Sequence, residues 1–189
     1  MLQRLLRTLL AQAILVCVVP LGLWSQNVLS NPSFNTPAAG VPPGTPVSYS
    51  NFCYAGNSAA ADWSVWVNNC SQGGDDISTV LVPSTLPGTS GYMMHVITDG
   101  NANGIVQTPF RSQQTNTLAS LWVYVNSGCV LIGTGDGGDT GLDEATCETG
   151  RWFHFSRVPN GVTPATEFIV YSLFNADFYV KDASVVPAP

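Results

Sequence analysis

The chain has 189 residues and a formal net charge of −6 at pH 7, with only 10% of its residues charged. This acidic balance disfavours nucleic acid and anionic membranes as partners, because both would repel the chain. Low charge, 18 Gly, 13 Pro and a 10% share of aromatic residues indicate an extracellular all-β domain.

Residues 1–25 have the pattern of a secretory signal peptide. Arg4 and Arg7 form a basic start, and an apolar run follows as far as Leu23. The run is short for a membrane-spanning helix, so a retained anchor is the less favoured interpretation. We therefore predict a signal peptide over 1–25 and a single domain over 26–189. The expected location is secreted, extracellular or periplasmic, with no membrane partner.

Short alternating segments separated by turn residues fill the rest of the chain. The predicted strands cover residues 28–34, 63–67, 92–98, 104–110, 116–126, 128–133, 152–157, 167–174 and 178–185. Residues 36–46 are predicted to form a Pro/Gly loop, and 75–87 to be irregular with one short apolar run. No segment of useful length has helical periodicity, and no repeat is present. About eight to ten such strands predict an all-β sandwich, a jelly roll with two antiparallel sheets.

The longest predicted strand carries the most informative pattern. Within 121–125, strict alternation puts three aliphatic side chains on one face and Trp122 and Tyr124 on the other. If that second face is open, two rings about 7 Å apart form a platform on which the apolar face of a sugar ring can stack. If a second apolar layer covers them, they are ordinary core residues. The sequence leaves both interpretations open.

Other side chains could extend this surface. The candidate ligand-binding residues besides Trp122 and Tyr124 are Trp66, Tyr92, His95 and Asn68. Gln107 is a weaker candidate, because an amide at such a position commonly satisfies buried backbone groups. Trp63 and Trp152 are interpreted as core residues.

Four cysteines follow the predicted leader: Cys53, Cys70, Cys129 and Cys147. An even number in a secreted chain indicates two disulfides, for which three pairings are possible. The pairs Cys53–Cys70 and Cys129–Cys147 are favoured because each brackets a loop rich in Gly, Ser and Asp. A zinc site is disfavoured, since the sequence has no C-x-x-C and neither histidine is near a cysteine.

Catalysis is not expected from the sequence. His95 and His154 are the only histidines, and no nucleophile-elbow motif G-x-S-x-G is present. A G-x-G-x-x-G motif at 133–138 follows a predicted strand, but no predicted helix follows it and its acidic neighbours would repel a phosphate. We interpret it as a solvated loop, with a weak calcium site as the alternative.

Four groups of residues resemble a known family in their order. They are NVLSNPSF at 27–34, ADWSVW at 61–66, NGIVQTPF with LASLWVYV at 103–110 and 118–125, and GRWFHF with DFYVKDASV at 150–155 and 177–185. Together they resemble the jelly-roll carbohydrate-binding modules of the cellulose- and xylan-binding type, in the galactose-binding-domain-like superfamily. The resemblance implies a secreted, non-catalytic module that holds a glycan by aromatic stacking and amide hydrogen bonds. The alternative is a structural or adhesion domain without a sugar site.

The resemblance also implies a structural calcium ion beside the first and last strands. Asp182 matches the second Asp of the family's D-D pair, and Asn35 stands where a Glu is common. Lys181 replaces the first Asp. Calcium prefers several oxygen ligands, so two lost carboxylates and an added amine disfavour the ion. No other cofactor is expected, and the oligomeric state is not predicted.

Overall fold

A computed structural model describes residues 27–67, 74–99, 103–107, 117–135, 144–157, 167–172 and 174–187. Within these ranges the regular structure is entirely β-strand. The strands are β1 (Val47–Phe52), β2 (Tyr54–Asn57), β3 (Ser64–Val67), β4 (Asp75–Pro83), β5 (Tyr92–Asp99), β6 (Asn103–Gln107), β7 (Thr117–Ser127), β8 (Val130–Gly135), β9 (Glu144–Thr146), β10 (Trp152–Arg157), β11 (Glu167–Ser172) and β12 (Ala176–Pro187).

The strands form two six-stranded sheets. Sheet 1 has the order β1-β4-β5-β12-β7-β10, and sheet 2 has the order β2-β3-β6-β11-β8-β9. Every pairing between these strands is antiparallel. One hydrophobic core joins the sheets, with Leu121 and Phe178 from sheet 1 and Ile105 and Phe168 from sheet 2. These features confirm the predicted all-β jelly-roll sandwich, because the chain crosses repeatedly between two packed antiparallel sheets.

The burial pattern along β7 follows its sequence alternation. Leu121, Val123 and Val125 are at most 1% exposed and belong to the core. Trp122 and Tyr124 lie half-buried on the opposite face. The predicted two-sided strand is therefore confirmed, and its aromatic side points away from the sandwich interior.

Two of the predicted segments differ from the structure. Residues 28–34 form turns instead of a strand, although Val28 N donates to Val185 O at 2.9 Å beside β12. Residues 75–83, predicted to be irregular, form the strand β4 between β1 and β5. The alternation of apolar and polar residues along β4 is interrupted by Thr79, a polar residue at an inward position. Thr79 is fully buried, and its Oγ1 accepts a hydrogen bond from Ala59 N at 2.9 Å.

The N-terminal segment is fixed to the sandwich by an amide and a buried ring. Gln107 Oε1 accepts from Ser30 N at 2.7 Å, and Gln107 Nε2 donates to Ser30 O at 2.8 Å. Phe34 is fully buried, with its ring centroid 4.8 Å from that of Trp63. Gln107 thus satisfies backbone groups, and Trp63 is a core residue, as predicted.

Disulfide bonding agrees with the predicted pairing where the residues are described. Cys129 and Cys147 are bonded across the β8–β9 hairpin. Cys53 is also disulfide-bonded, and its predicted partner Cys70 lies outside the described residues. The predicted signal peptide lies outside them as well. The described ranges contain no helix with the length and hydropathy needed to cross a bilayer.

Candidate glycan-binding face

Six rings lie on the outer face of sheet 1 in the described part of the chain. They come from β5, β12, β7 and β10, which are adjacent strands in that order. We call this set the aromatic face, and its members are His95, Tyr179, Trp122, Tyr124, Trp152 and His154.

Four of these rings form a row across the strands. In the strand register, Trp152 is opposite Tyr124, Tyr124 is opposite Tyr179, and Tyr179 is opposite His95. Tyr124 makes edge contacts with Trp152 at 5.6 Å and with Tyr179 at 6.2 Å between ring centroids. His95 stacks on Tyr179 at 4.3 Å. At about 4.8 Å per strand, the row extends over about 14 Å.

A second, shorter row lies beside the first. Trp122 and His154 are opposite each other in the register of β7 and β10. Their rings stack with centroids 4.4 Å apart and planes 29° apart. Since Trp122 and Tyr124 are two residues apart on β7, about 7 Å separates the rows. The two rows together make a surface broader than a single ring.

The aromatic face is partly open to solvent. Trp122, Tyr124, Trp152 and Tyr179 are each half-buried, and His154 is exposed. Their mutual contacts hold the rings in position, which limits the side-chain entropy that a ligand would have to remove. The face can therefore accept a flat apolar surface such as one side of a pyranose ring.

A polar group adjoins one side of the aromatic row, next to Tyr124, Tyr179 and His95. Asp177 Oδ1 lies 2.7 Å from His95 Nε2 and accepts a hydrogen bond from Asn126 Nδ2 at 2.9 Å. We call Asp177 and Asn126 the polar flank. Among the described residues, the other carboxylate oxygen of Asp177 makes no hydrogen bond, and the side chain is 33% exposed. The polar flank is thus an oriented acceptor beside stacked rings.

The structure brings three predicted site residues together and separates the others. Trp122, Tyr124 and His95 share the aromatic face. Trp66 lies on β3 of sheet 2, on the opposite outer face of the sandwich, so the prediction that it joins this surface is wrong. Tyr92 is three residues from His95 on β5 and therefore on the opposite side of the strand, where it packs against the core, so it does not join the aromatic face either. Asn68 lies outside the described residues.

Several residues of the face escaped sequence reasoning. Trp152, predicted to be core, points outward because Phe153 and Phe155 take the inward positions of β10. His154 and Tyr179 were not proposed as binding residues. Their alternation was visible, but aromatic residues on both sides of each strand left the inward side undecided.

The predicted calcium donors do not fit a calcium ion. Asp182 Oδ1 lies 3.3 Å from the ammonium nitrogen of Lys181. Asn35 Oδ1 accepts a hydrogen bond from Tyr92 N at 2.8 Å. The described residues contain no cluster of three or more His, Cys, Asp or Glu side chains able to hold a metal. A cation beside Asp182 repels calcium, and the alternative site in the acidic loop at 136–143 lies outside the described residues.

Comparison with known proteins adds a likeness in fold. No protein-family model and no curated protein matches the sequence. A family 29 carbohydrate-binding module is similar over 75% of this chain and 88% of its own length, with 10% identity and a TM-score of 0.47. A variant of CBM29-2 complexed with cellulohexaose is similar over 75% of this chain and 90% of its own, also with 10% identity and a TM-score of 0.47.

A further similar structure is the CBM22-1–GH10 part of endo-1,4-β-D-xylanase 10B from Clostridium thermocellum, complexed with xylohexaose. The similarity covers 59% of this chain and 25% of that one, with 15% identity and a TM-score of 0.43. At these identities the likeness concerns the fold, and it transfers neither a ligand nor any binding residue to this chain.

Proposed function

We propose that this protein is a secreted, non-catalytic domain that binds a glycan on the aromatic face. The observation that carries the proposal is the set of six rings on one partly open surface of sheet 1. Sugar rings have an apolar C–H face that packs on aromatic rings, while their hydroxyl groups bond to polar neighbours. A row of rings in mutual contact, with an acceptor along one side, meets both requirements.

The row indicates an extended ligand rather than a single sugar. It runs for about 14 Å across four strands, which is longer than one pyranose ring. We infer that an oligosaccharide or polysaccharide segment lies perpendicular to the strands, on Trp152, Tyr124 and Tyr179. The Trp122–His154 pair would then contact one side of the segment, and the polar flank would accept hydroxyl hydrogens on its opposite side.

Charge restricts the expected ligand to neutral glycans. The chain has a net charge of −6, and the carboxylate of Asp177 lies directly beside the row. A uronic acid or sulfate group at that position would be repelled. We therefore expect neutral polysaccharides to bind and acidic ones to bind weakly.

A secreted, non-enzymatic role is consistent with the remaining chemistry. The disulfide between Cys129 and Cys147 favours an oxidising compartment. Both histidines are stacked on aromatic rings, and in the described residues neither contacts a serine or cysteine that could act as a nucleophile. Recognition without bond cleavage accounts for this arrangement.

A structural or adhesion domain is the second candidate. It is favoured by the half-burial of four of the rings, which pack on one another and so contribute to the sheet without any ligand. In that case the aromatic face would bind no sugar, and substitutions of its residues would change only the stability of the fold.

The test is glycan binding by the whole secreted chain, first on a glycan array and then on insoluble polysaccharides. Tyr124→Ala and Trp152→Ala should each weaken binding at least about tenfold, since buried aromatic anchors carry most of an interface's binding energy. Tyr54→Asn is the matched control, because Tyr54 is 74% exposed on β2 of sheet 2 and Asn tolerates its positive φ of 73°.

The outcome separates the two candidates. Weakened binding in both face variants, with the control unchanged and all variants folded by circular dichroism, supports the proposal. Absence of binding by the wild type to every neutral glycan on the array contradicts it and favours the structural role. Equal weakening by the control would show that the contact does not lie on the aromatic face.

A further inference from the structure

A buried ammonium group lies where the N-terminal segment meets β12. The side chain of Lys181 is only 1% exposed. Its Nζ donates a hydrogen bond to Ser33 O at 2.8 Å and lies 3.3 Å from Asp182 Oδ1. Burying a charge costs free energy unless oxygen partners replace the water that it loses, and here Ser33 O and Asp182 Oδ1 are those partners.

The backbone of β12 has an irregularity directly after Lys181. The pairing of β12 with β7 shifts register between Lys181 and Ser184, which marks a bulge. Asp182, inside the bulge, has a φ of 48°, in the left-handed region that non-glycine residues rarely adopt. The bulge breaks the simple alternation and brings two neighbouring side chains, an ammonium and a carboxylate, to one junction.

Three separate parts of the chain meet at this junction. Ala183 N donates to Pro32 O at 2.8 Å, next to the Ser33 carbonyl that Lys181 binds. Asn35 Oδ1 accepts a hydrogen bond from Tyr92 N, which connects the same segment to the beginning of β5. The contacts of Lys181 therefore join the N-terminal segment to β12 at the point where β5 also begins.

We propose that the Lys181 ammonium serves as an internal cation at this junction, in the position for which the family resemblance implied a calcium ion. It neutralises Asp182 and binds a backbone carbonyl of the N-terminal segment, which are the two tasks that a bound metal would perform there. The fold would then need no metal ion. This inference concerns the architecture and does not rest on glycan binding.

The first test is thermal unfolding of the wild-type protein with excess EDTA and with millimolar calcium. The melting temperature should be the same in both within about 1 °C, because a protein that binds no ligand at this site gains no stability from it. A clear rise in calcium that EDTA reverses, and that Asp182→Asn abolishes, would overturn the proposal.

The second test compares substitutions in two ion pairs, one buried and one exposed. Lys181→Met should lower the melting temperature by about 10 °C, since it leaves Asp182 and the Ser33 carbonyl without their partner. Arg151→Met is the matched control, because Arg151 pairs with Glu148 at an exposed site. This variant should change the melting temperature by less than about 2 °C. Equal shifts for both variants would contradict a special role for Lys181.

Asp182→Asn keeps the test informative if Lys181→Met does not fold. Asn tolerates the positive φ and removes only the charge, so the melting temperature should fall by less than in Lys181→Met but by more than in the control. No fall would contradict the pairing. Finally, Lys181→Asp should make the melting temperature depend on calcium. An equally low melting temperature with and without calcium would contradict the proposal that the Lys181 ammonium takes the place of a calcium ion.

Discussion

The outer faces of the two sheets both carry aromatic residues, but they differ in how far their side chains are exposed to solvent. On sheet 1 the rings of the aromatic face are partly open and adjoin the polar flank. On sheet 2 a compact apolar cluster occupies the corresponding surface, and its members Val106, Leu131, Ile169 and Tyr171 are all at most 9% exposed, with Trp66 packed against them. The first face therefore presents more accessible ring surface than the second.

Glycine has a specific role in the covered face. Gly104 lies between Trp66 on β3 and Tyr171 on β11 in the register of sheet 2. A Cβ at this position would lie 2.0 Å from Val170 O, so only glycine fits. The two rings meet in an edge contact at 6.0 Å above it. An outward aromatic residue is therefore not in itself a sign of a binding surface, since Trp66 serves packing.

The largest expected effect concerns the covered face. Ile169→Ala should lower the free energy of unfolding by about 3 kcal/mol, because it leaves a cavity at a residue that is 2% exposed. Chemical denaturation measures this value. Glycan binding by the folded fraction should be unchanged, and a parallel loss of affinity would show that the two faces are coupled.

An intermediate effect is expected on the open face. Trp122→Ala should cost about 2 kcal/mol in glycan binding, or about thirtyfold in Kd. It should cost less stability than Ile169→Ala, because Trp122 is only half-buried. Calorimetric titration with the best-binding glycan and a denaturation curve give the two values. A stability loss as large as that of a core tryptophan, about 3–5 kcal/mol, would mean that this face is packing surface too.

The smallest expected effect concerns the polar flank. Asp177→Asn keeps the shape of the side chain but weakens its acceptor, so glycan affinity should fall by about 1 kcal/mol, or about fivefold. The same variant should bind acidic oligosaccharides relatively better than the wild type does. Unchanged preference between neutral and acidic ligands would remove Asp177 from the proposed site.

The two-sided pattern of β7 could be predicted from the sequence, because aliphatic residues alternate with aromatic residues along this strand. Trp152 was assigned to the wrong side because β10 alternates aromatic residues with aromatic residues. Its side is decided by the register with β7, in which Trp152 is opposite Tyr124. Trp66 was assigned to the surface of the wrong sheet, since membership of sheet 2 depends on pairing with the distant strand β6. Such long-range pairings leave no local signature.

The position of β12 has a consequence for the order of folding. This strand, the last that the structure describes, lies between β5 and β7 in the middle of sheet 1. It supplies Tyr179 and Asp177, and the latter contacts His95 across 82 residues of sequence. Contacts of such long range form slowly, because the loop entropy must be lost before the contact stabilises anything. We therefore expect the aromatic face to be among the last surfaces to assemble, because its row of rings is complete only when β12 lies between β5 and β7.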